Sequence, residues 1–340
     1  GDCYRATVAD LGANTWKVTF PSEFTSLGFS EGDWLVARLN SGDGQNHAVR
    51  LDNSTNCTLQ SLTSQGGGFA SVFEAGGGGN RLWGYRIECS PDAPVGGTET
   101  PVVSSGADGV HTVATYPGLD IKDCVFTGVF LDDCIAIHGY FNTVLSASGN
   151  TVTMNGYGYF VVGEPVRISD TAGFFAQATC TAVANLGNGT VQVTLDQTLA
   201  VPVGAKASSP KFNGSGFRIT NCQFGNTRSR AIITKADDGL ISGCTISNSN
   251  IAINIGPEFY WDESDYSWNN TVVGNLISDC FVGVNLVQNG AIGNRNLSVI
   301  DNSFSSITRG NCISIGGCDG ATISGNSFPT PTAAETILLY

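Results

Sequence analysis

Two short stretches of this chain carry the side chains best suited to moving protons. Ala107-Asp108-Gly109-Val110-His111 comes first, and Phe130-Leu131-Asp132-Asp133-Cys134 follows, running on to Ile137-His138-Gly139. Adjacent aspartates repel each other, so crowding raises the pKa of one and leaves a protonated acid beside a base. Glycosidic cleavage needs that pair: an acid for the leaving oxygen and a base for water. Asp is also common in turns, and a capping role for Asp132-Asp133 is the competing reading. Asp237-Asp238-Gly239 looks similar, but no partner carboxylate is expected one coil away, and it is read as structural.

Other chemistries find less support. The three histidines, His47, His111 and His138, lack a G-x-S-x-G elbow between a strand and a helix. Gly76-Gly77-Gly78-Gly79 lacks the Lys-Ser/Thr of a phosphate loop and reads as a turn. C-x-x-C is absent, which removes the strongest zinc pattern, and no calcium loop of alternating Asp and Asn occurs. No metal and no cofactor is therefore expected. Downstream, Glu258-Phe259-Tyr260-Trp261-Asp262-Glu263-Ser264 opens a long turn rich in aromatics and acids. Flat rings there can stack on sugar C–H faces while carboxylates grip hydroxyls, or the rings can pack on a neighbouring element. Arg228-Ser229-Arg230 opens another strand, and either arginine can orient a carboxylate or a hydroxyl.

A loose repeat must position these groups. Ile121–Phe126, Ile219–Phe224, Ile241–Ile246, Val273–Ile277, Ile300–Phe304 and Ile323–Phe328 read as one series of short strands. Ile135–Ile137, Ala231–Ile233, Ala252–Ile255, Val282–Val284 and Cys312–Ile315 read as a second. The interval is 22 residues from Cys222 to Cys244, then 31 to Asn275, 27 to Asn302 and 24 to Asn326. Strands this short cannot each bury a face alone. Stacked as coils of a right-handed parallel β-helix they can, each coil roofing the last at ~4.8 Å. Cys124, Cys222, Cys244, Asn275, Asn302 and Asn326 then fall in one ladder at a turn. Asp108 and Asp132, 24 residues apart, fall on neighbouring coils, with the ~6.5–9.5 Å separation of inverting glycosidases within reach.

Two segments break the pattern. Ala6–Gly12 with Trp16–Phe20, and Thr181–Gly187 with Val191–Leu195, alternate like antiparallel hairpins. Each lies near a Gly-acid strand, Gly32-Asp33-Trp34-Leu35-Val36 or Gly163-Glu164-Pro165-Val166-Arg167-Ile168. The fold class is thus all-β: a right-handed parallel β-helix with inserted antiparallel β-barrel elements. Residues 1–42 form a small barrel element, 43–140 the first coils with the catalytic segment, 141–212 an inserted barrel, and 213–340 the C-terminal coils.

Composition narrows the partner. The 340 residues carry 16 Lys and Arg against 29 Asp and Glu, a net charge of −13. Nucleic acid and anionic membrane need basic surfaces and are excluded as partners; an anionic polysaccharide is disfavoured for the same reason. No stretch approaches the ~20 apolar residues of a membrane span. A neutral oligosaccharide or polysaccharide suits the chain better. Sequons at Asn53, Asn56, Asn188, Asn213, Asn269 and Asn296, 11 cysteines and an acidic balance point to a secreted glycoprotein. A local disulfide between Cys312 and Cys318 is one expectation. Gly1-Asp2-Cys3 shows no signal peptide, so a processed or truncated form is expected.

The order of these motifs resembles glycoside hydrolase family 110, inverting exo-α-galactosidases that remove terminal α-1,3-linked galactose. The likeness runs over most of residues 30–330: the Gly-Asp barrel strand, Ala-Asp-Gly-Val-His, the Asp-Asp pair ending in Ile-His-Gly, the insertion, Arg-Ser-Arg-Ala-Ile-Ile and the Tyr-Trp-Asp-Glu-Ser turn. The resemblance implies Asp132 as the acid, with Asp108 and Asp133 holding and activating water. It also implies His138, Arg230, Trp261 and Glu263 lining the sugar pocket, where His111, Arg228 and Lys235 complete the expected substrate-binding set. Asp262 stands where that family usually has an aromatic. Two other classes stay open. A polysaccharide lyase or polygalacturonase-like enzyme would share the fold, although Lys122 is the one base near the acidic segment. A non-catalytic glycan-binding β-helix would not need carboxylates one coil apart.

Overall fold

The computed structural model describes residues 7–13, 15–19, 46–287, 293–329 and 336–340. Two compact units divide the chain, Gly1–Leu39 and Asn40–Tyr340. In the first, Thr7–Gly12 pairs antiparallel with Thr15–Thr19, as the alternating pattern predicts. The strand expected over Gly32–Val36 lies outside the described residues, as does much of the barrel element expected over 1–42.

The second unit is a parallel β-helix. Apolar residues of successive coils stand in register: Leu82, Ile121, Ile219, Ile241, Val272, Val299 and Ile323 form one inward row. Val72, Val110, Ile135, Ile232, Ile253, Val284 and Ile313 form another. Apart from Leu82 these side chains are β-branched and suit a pleated surface, and fully burying one is worth roughly 1.5–3 kcal/mol. Phe126 and Phe224 stack between coils with ring centroids 5.0 Å apart. Among the described residues no α-helix occurs, and no helix is long and apolar enough to cross a membrane.

The mixed Cys/Asn ladder exists, and both residue types do one job in it. The thiols of Cys124, Cys222 and Cys244 donate to the carbonyls of Leu82, Ile121 and Ile219 on the preceding coil. The amides of Asn275, Asn302 and Asn326 donate to Ile241, Val272 and Val299 in the same way. Asn adds an acceptor: Oδ1 of Asn302 takes the backbone N–H of Asn275 at 3.0 Å and its amide at 2.9 Å. Asn302→Ala therefore orphans several buried groups at once. Denaturant titration should show a loss of at least about 1–3 kcal/mol, the cost of one such group.

Between the strand Ile135–Tyr140 and the strand Gln223–Thr234, which are parallel neighbours, the chain leaves the helix to build a closed six-stranded antiparallel barrel. Its strands run from Asn142–Ser148 to Lys206–Ser208, within the 141–212 expected, around a core including Met154, Ile168 and Val193.

Two expectations fail on burial and pairing. Among the described residues no cysteines are bridged, Cys312 and Cys318 included. The buried thiols on the coils are used as small hydrophobes and donors to carbonyls. Asn213 is wholly buried, so its sequon cannot take a glycan, whereas Asn53, Asn56, Asn188, Asn269 and Asn296 are exposed. Of those, Asn296 donates its amide to Asn269, and Asn269 donates to Asp238, in a surface ladder.

Candidate active site

Strand register decides what meets what. Val110 pairs with Ile135 and Ile135 with Ile232. Counting back two residues on each coil stacks Asp108, Asp133 and Arg230. Backbone bonds follow the same order, Gly109 N–H to Asp133 O at 2.8 Å and Cys134 N–H to Arg230 O at 3.0 Å. Asp133, not Asp132, is thus the coil neighbour of Asp108. Asp132, one residue earlier, stands beside the pair. One oxygen from each of the three carboxylates lies within 4.8 Å of the others. Such a trio also has the donor set of a hard-cation site.

The three carboxylates have different partners. Asp133 Oδ1 accepts from Ser229 Oγ, Arg230 N–H and Arg230 Nε at 2.7, 3.0 and 2.8 Å, and Oδ2 accepts from Arg230 Nη2 at 2.7 Å. Asp108 accepts the Asp133 N–H at 3.0 Å on one oxygen and meets His111 Nδ1 at 2.7 Å with the other. Asp132 has its pKa pushed up to about 7, first by burial, then by the charges of Asp108 and Asp133, with Arg230 and Arg228 opposing. One carboxyl of the three keeps its proton near neutral pH.

Behind the trio runs a chain of charges. His138 Nδ1 faces the Gly139 carbonyl at 2.8 Å and so carries its proton there, leaving Nε2 to accept from His111 Nε2 at 3.0 Å. His111 then donates from both nitrogens. Burial works against that charge, but the hydrogen bond and charge of Asp108 prevail and the His111 pKa is raised. His138 is driven down to about 3 by burial, against the pull of Glu263. Burial opposes ionisation of Glu263 too, yet the His138 ring and the Lys235 ammonium facing it hold its carboxyl down, to about 2. Lys235 Nζ meets Glu263 at 2.5 Å and Glu258 at 2.9 Å. Glu258 meets Arg230 at 2.7 Å, which closes the circuit on Asp133.

The sequence-chosen residues therefore divide. Asp108, Asp132, Asp133, His111, His138, Arg230, Lys235 and Glu263 come together. Lys235, with a side-chain exposure of 0%, cannot touch a sugar; it anchors the two acids that bracket the aromatic turn. His138 is likewise buried and reaches the trio through His111. Arg228 opposes the rise in the Asp132 pKa and donates to the carbonyls of Phe130 and Leu131 at 2.8 and 3.1 Å, fixing the segment that presents Asp132. Trp261 projects at 65% exposure with Tyr260 at 86%, whereas Phe259 stacks on Phe141 beside the barrel. The packing reading of the turn holds for Phe259. Ser229 and Glu258 were not picked out, although both sit in segments quoted for other residues. Asp237 is structural as expected, but it does have a carboxylate neighbour: Asp265, held with it by buried Arg167. Two surface cavities, of about 300 Å³ by Arg167 and Trp268 and about 680 Å³ by Phe130 and Cys89, do not include the trio.

No protein-family model and no curated protein sequence matches the chain. Solved structures with similar chain paths include the Family 28 exopolygalacturonase of Yersinia enterocolitica, at 10% identity and TM-score 0.35 over 84% of this chain and 44% of that one. The tailspike protein gp49 of Pseudomonas phage LKA1 matches at 10% identity and TM-score 0.24 over 64% of this chain and 42% of that one. The Gp54 tailspike of Acinetobacter baumannii bacteriophage AP22, in complex with A. baumannii capsular saccharide, matches at 11% identity and TM-score 0.21 over 84% and 54%. The chain spans about half the length of each of these proteins. Likeness this distant carries no residue role and no activity across.

Proposed function

We propose that this chain is a secreted glycoside hydrolase that removes terminal, α-galactose-like sugars from a neutral glycan. The observation that carries the reading is Asp132, a carboxyl protonated up to about pH 7 and set within 4.8 Å of two carboxylates that are themselves bound to an arginine and a histidine. Asp132 gives its proton to the glycosidic oxygen as the bond to the anomeric carbon breaks. Asp108 takes the proton of the attacking water, since two of its roughly four lone-pair sites remain open, whereas Asp133 already accepts four hydrogen bonds and serves to hold Arg230. Two carboxylates one coil apart favour this over a passive glycan-binding helix, and the −13 charge favours it over an enzyme for uronate polymers.

Galactose and the α-1,3 linkage rest on the family 110 likeness alone. So does the inverting route. Proton NMR of an α-1,3-linked galactose disaccharide incubated with the full chain tests the proposal. Free galactose is the expected product, and its first anomer reads the stereochemistry: β for inversion, α for retention. An intact disaccharide together with intact aryl α- and β-glycosides overturns the hydrolase reading, and an unsaturated uronide released from a polyuronate would assign a lyase instead.

A further inference from the structure

We propose that Tyr157 and Tyr159, on a loop of the inserted barrel, form with Tyr140 a stacking subsite for a further pyranose of the neutral glycan cut at Asp132. The loop reads Asn155-Gly156-Tyr157-Gly158-Tyr159-Phe160, two tyrosines spaced by glycines and anchored by Phe160 in the barrel core. Its shape is fixed from below. Asn142 Oδ1 accepts the Gly158 N–H at 3.2 Å. Gly156 has φ +141, and a Cβ on it would lie 2.2 Å from that same oxygen, so only glycine fits.

The loop holds its rings open to water, Tyr157 at 64% exposure and Tyr159 at 37%. Both lie nearly parallel to Tyr140: Tyr157 at 3.8 Å between centroids and 21°, Tyr159 at 5.9 Å and 17°. Tyr140 belongs to the strand that carries His138, with ring centroids 6.0 Å apart, and it pairs directly opposite Glu263. The platform is therefore continuous with the charge circuit behind Asp108. Both rings stack on Tyr140 and still leave apolar area open to water. Flat apolar faces edged with hydroxyls are the chemistry that recognises the C–H face of a neutral sugar.

The inference rests on the hydrolase reading for the identity of the glycan, so its test is binding rather than turnover. The full chain carrying Asp132→Asn is titrated with the α-1,3-linked galactose disaccharide by calorimetry, with and without Tyr157→Ala/Tyr159→Ala. At ~0.5–1.5 kcal/mol per ring contact, the double change should weaken binding roughly 5- to 140-fold. Tyr157→Phe/Tyr159→Phe should restore most of it, and the melting temperature should stay within a few degrees of the parent. Undiminished binding by the Ala pair overturns the subsite while leaving hydrolysis at Asp132 standing. Loss of binding by the Ala pair in a chain that hydrolyses nothing keeps the subsite and discards the hydrolase. No binding by the Asp132→Asn parent, or a change in oligomeric state on removing the rings, overturns the subsite, the latter by assigning the tyrosines to contact between copies.

Discussion

Asp132→Asn should lower the rate of sugar release ~10²–10⁴-fold, the usual contribution of a positioned general acid, and should at the same time make the protein more stable at pH 8. The pair of effects follows from one cause. The Asp132 carboxyl titrates near 3.8 in an unfolded chain and at about 7 here, because burial and the charges of Asp108 and Asp133 penalise its ionised form. The folded state binds that proton more tightly than the unfolded state. Stability attached to the group is therefore fully present below about pH 4 and lost as pH rises through about 7. An asparagine cannot ionise, so the stability gap between variant and parent should be wide at pH 8 and should close towards pH 4. Activity runs in the same direction. The acid works while protonated, so the parent's kcat/KM should fall as pH rises through about 7, and the little activity left to the variant should lack that limb. Chemical denaturation and initial rates across pH 4–9 check both arms. A variant that keeps a tenth of the parent rate places the acid elsewhere.

How much of this was legible beforehand depends on which physical rule governs each feature. Burial ladders repeat, so the coils, the Cys/Asn turn and the place of the insertion could be read from spacing alone. Arg230 could be set one coil past the aspartates by skipping residues 141–212. The site itself turns on one residue. Side chains alternate along a strand, and whether Asp108 stacks on the residue 24 or 25 positions later decides which aspartate is clamped by Arg230 and which is left to carry the proton. Coil lengths that vary from 22 to 31 residues give no such precision. Lys235 was expected in the substrate-binding set, but only the turn that folds Glu258 and Glu263 over it shows its ammonium to be covered. The tyrosines of the barrel loop were missed outright. Their signal, Gly-Tyr-Gly-Tyr, is local and clear, but nothing in the sequence says that a loop of the insertion returns to the strand from which the insertion left.

The same return path predicts where the molecule is most easily broken. Arg167→Met should destabilise the second unit by about 3–5 kcal/mol, the cost of stripping one partner from a buried ion pair. Arg167 sits on the barrel strand Pro165–Ser169 and reaches across to the helix coils. Its Nη atoms donate to both oxygens of Asp237 at 3.1 and 2.5 Å and to the Tyr266 carbonyl at 2.8 Å. Asp265 Oδ2 lies 3.6 Å away, and the guanidinium stacks 3.7 Å above the Trp268 ring. Methionine keeps most of the volume and none of these bonds. Burial already lifts Asp237 to about 6 against the pull of Arg167, and it raises Asp265 as well. Without the arginine both carboxyls rise further, so folding takes up protons and the damage must grow with pH. The loss should be largest at pH 8 and smaller at pH 5, where protonation relieves the uncompensated charge. Arg167→Met/Asp237→Asn should recover part of the stability at pH 8, because it removes one of the stranded charges. A flat pH dependence, or a double variant no better than the single one, would mean that the cation holds barrel to helix by its stacking on Trp268 rather than by neutralising the two acids beneath it.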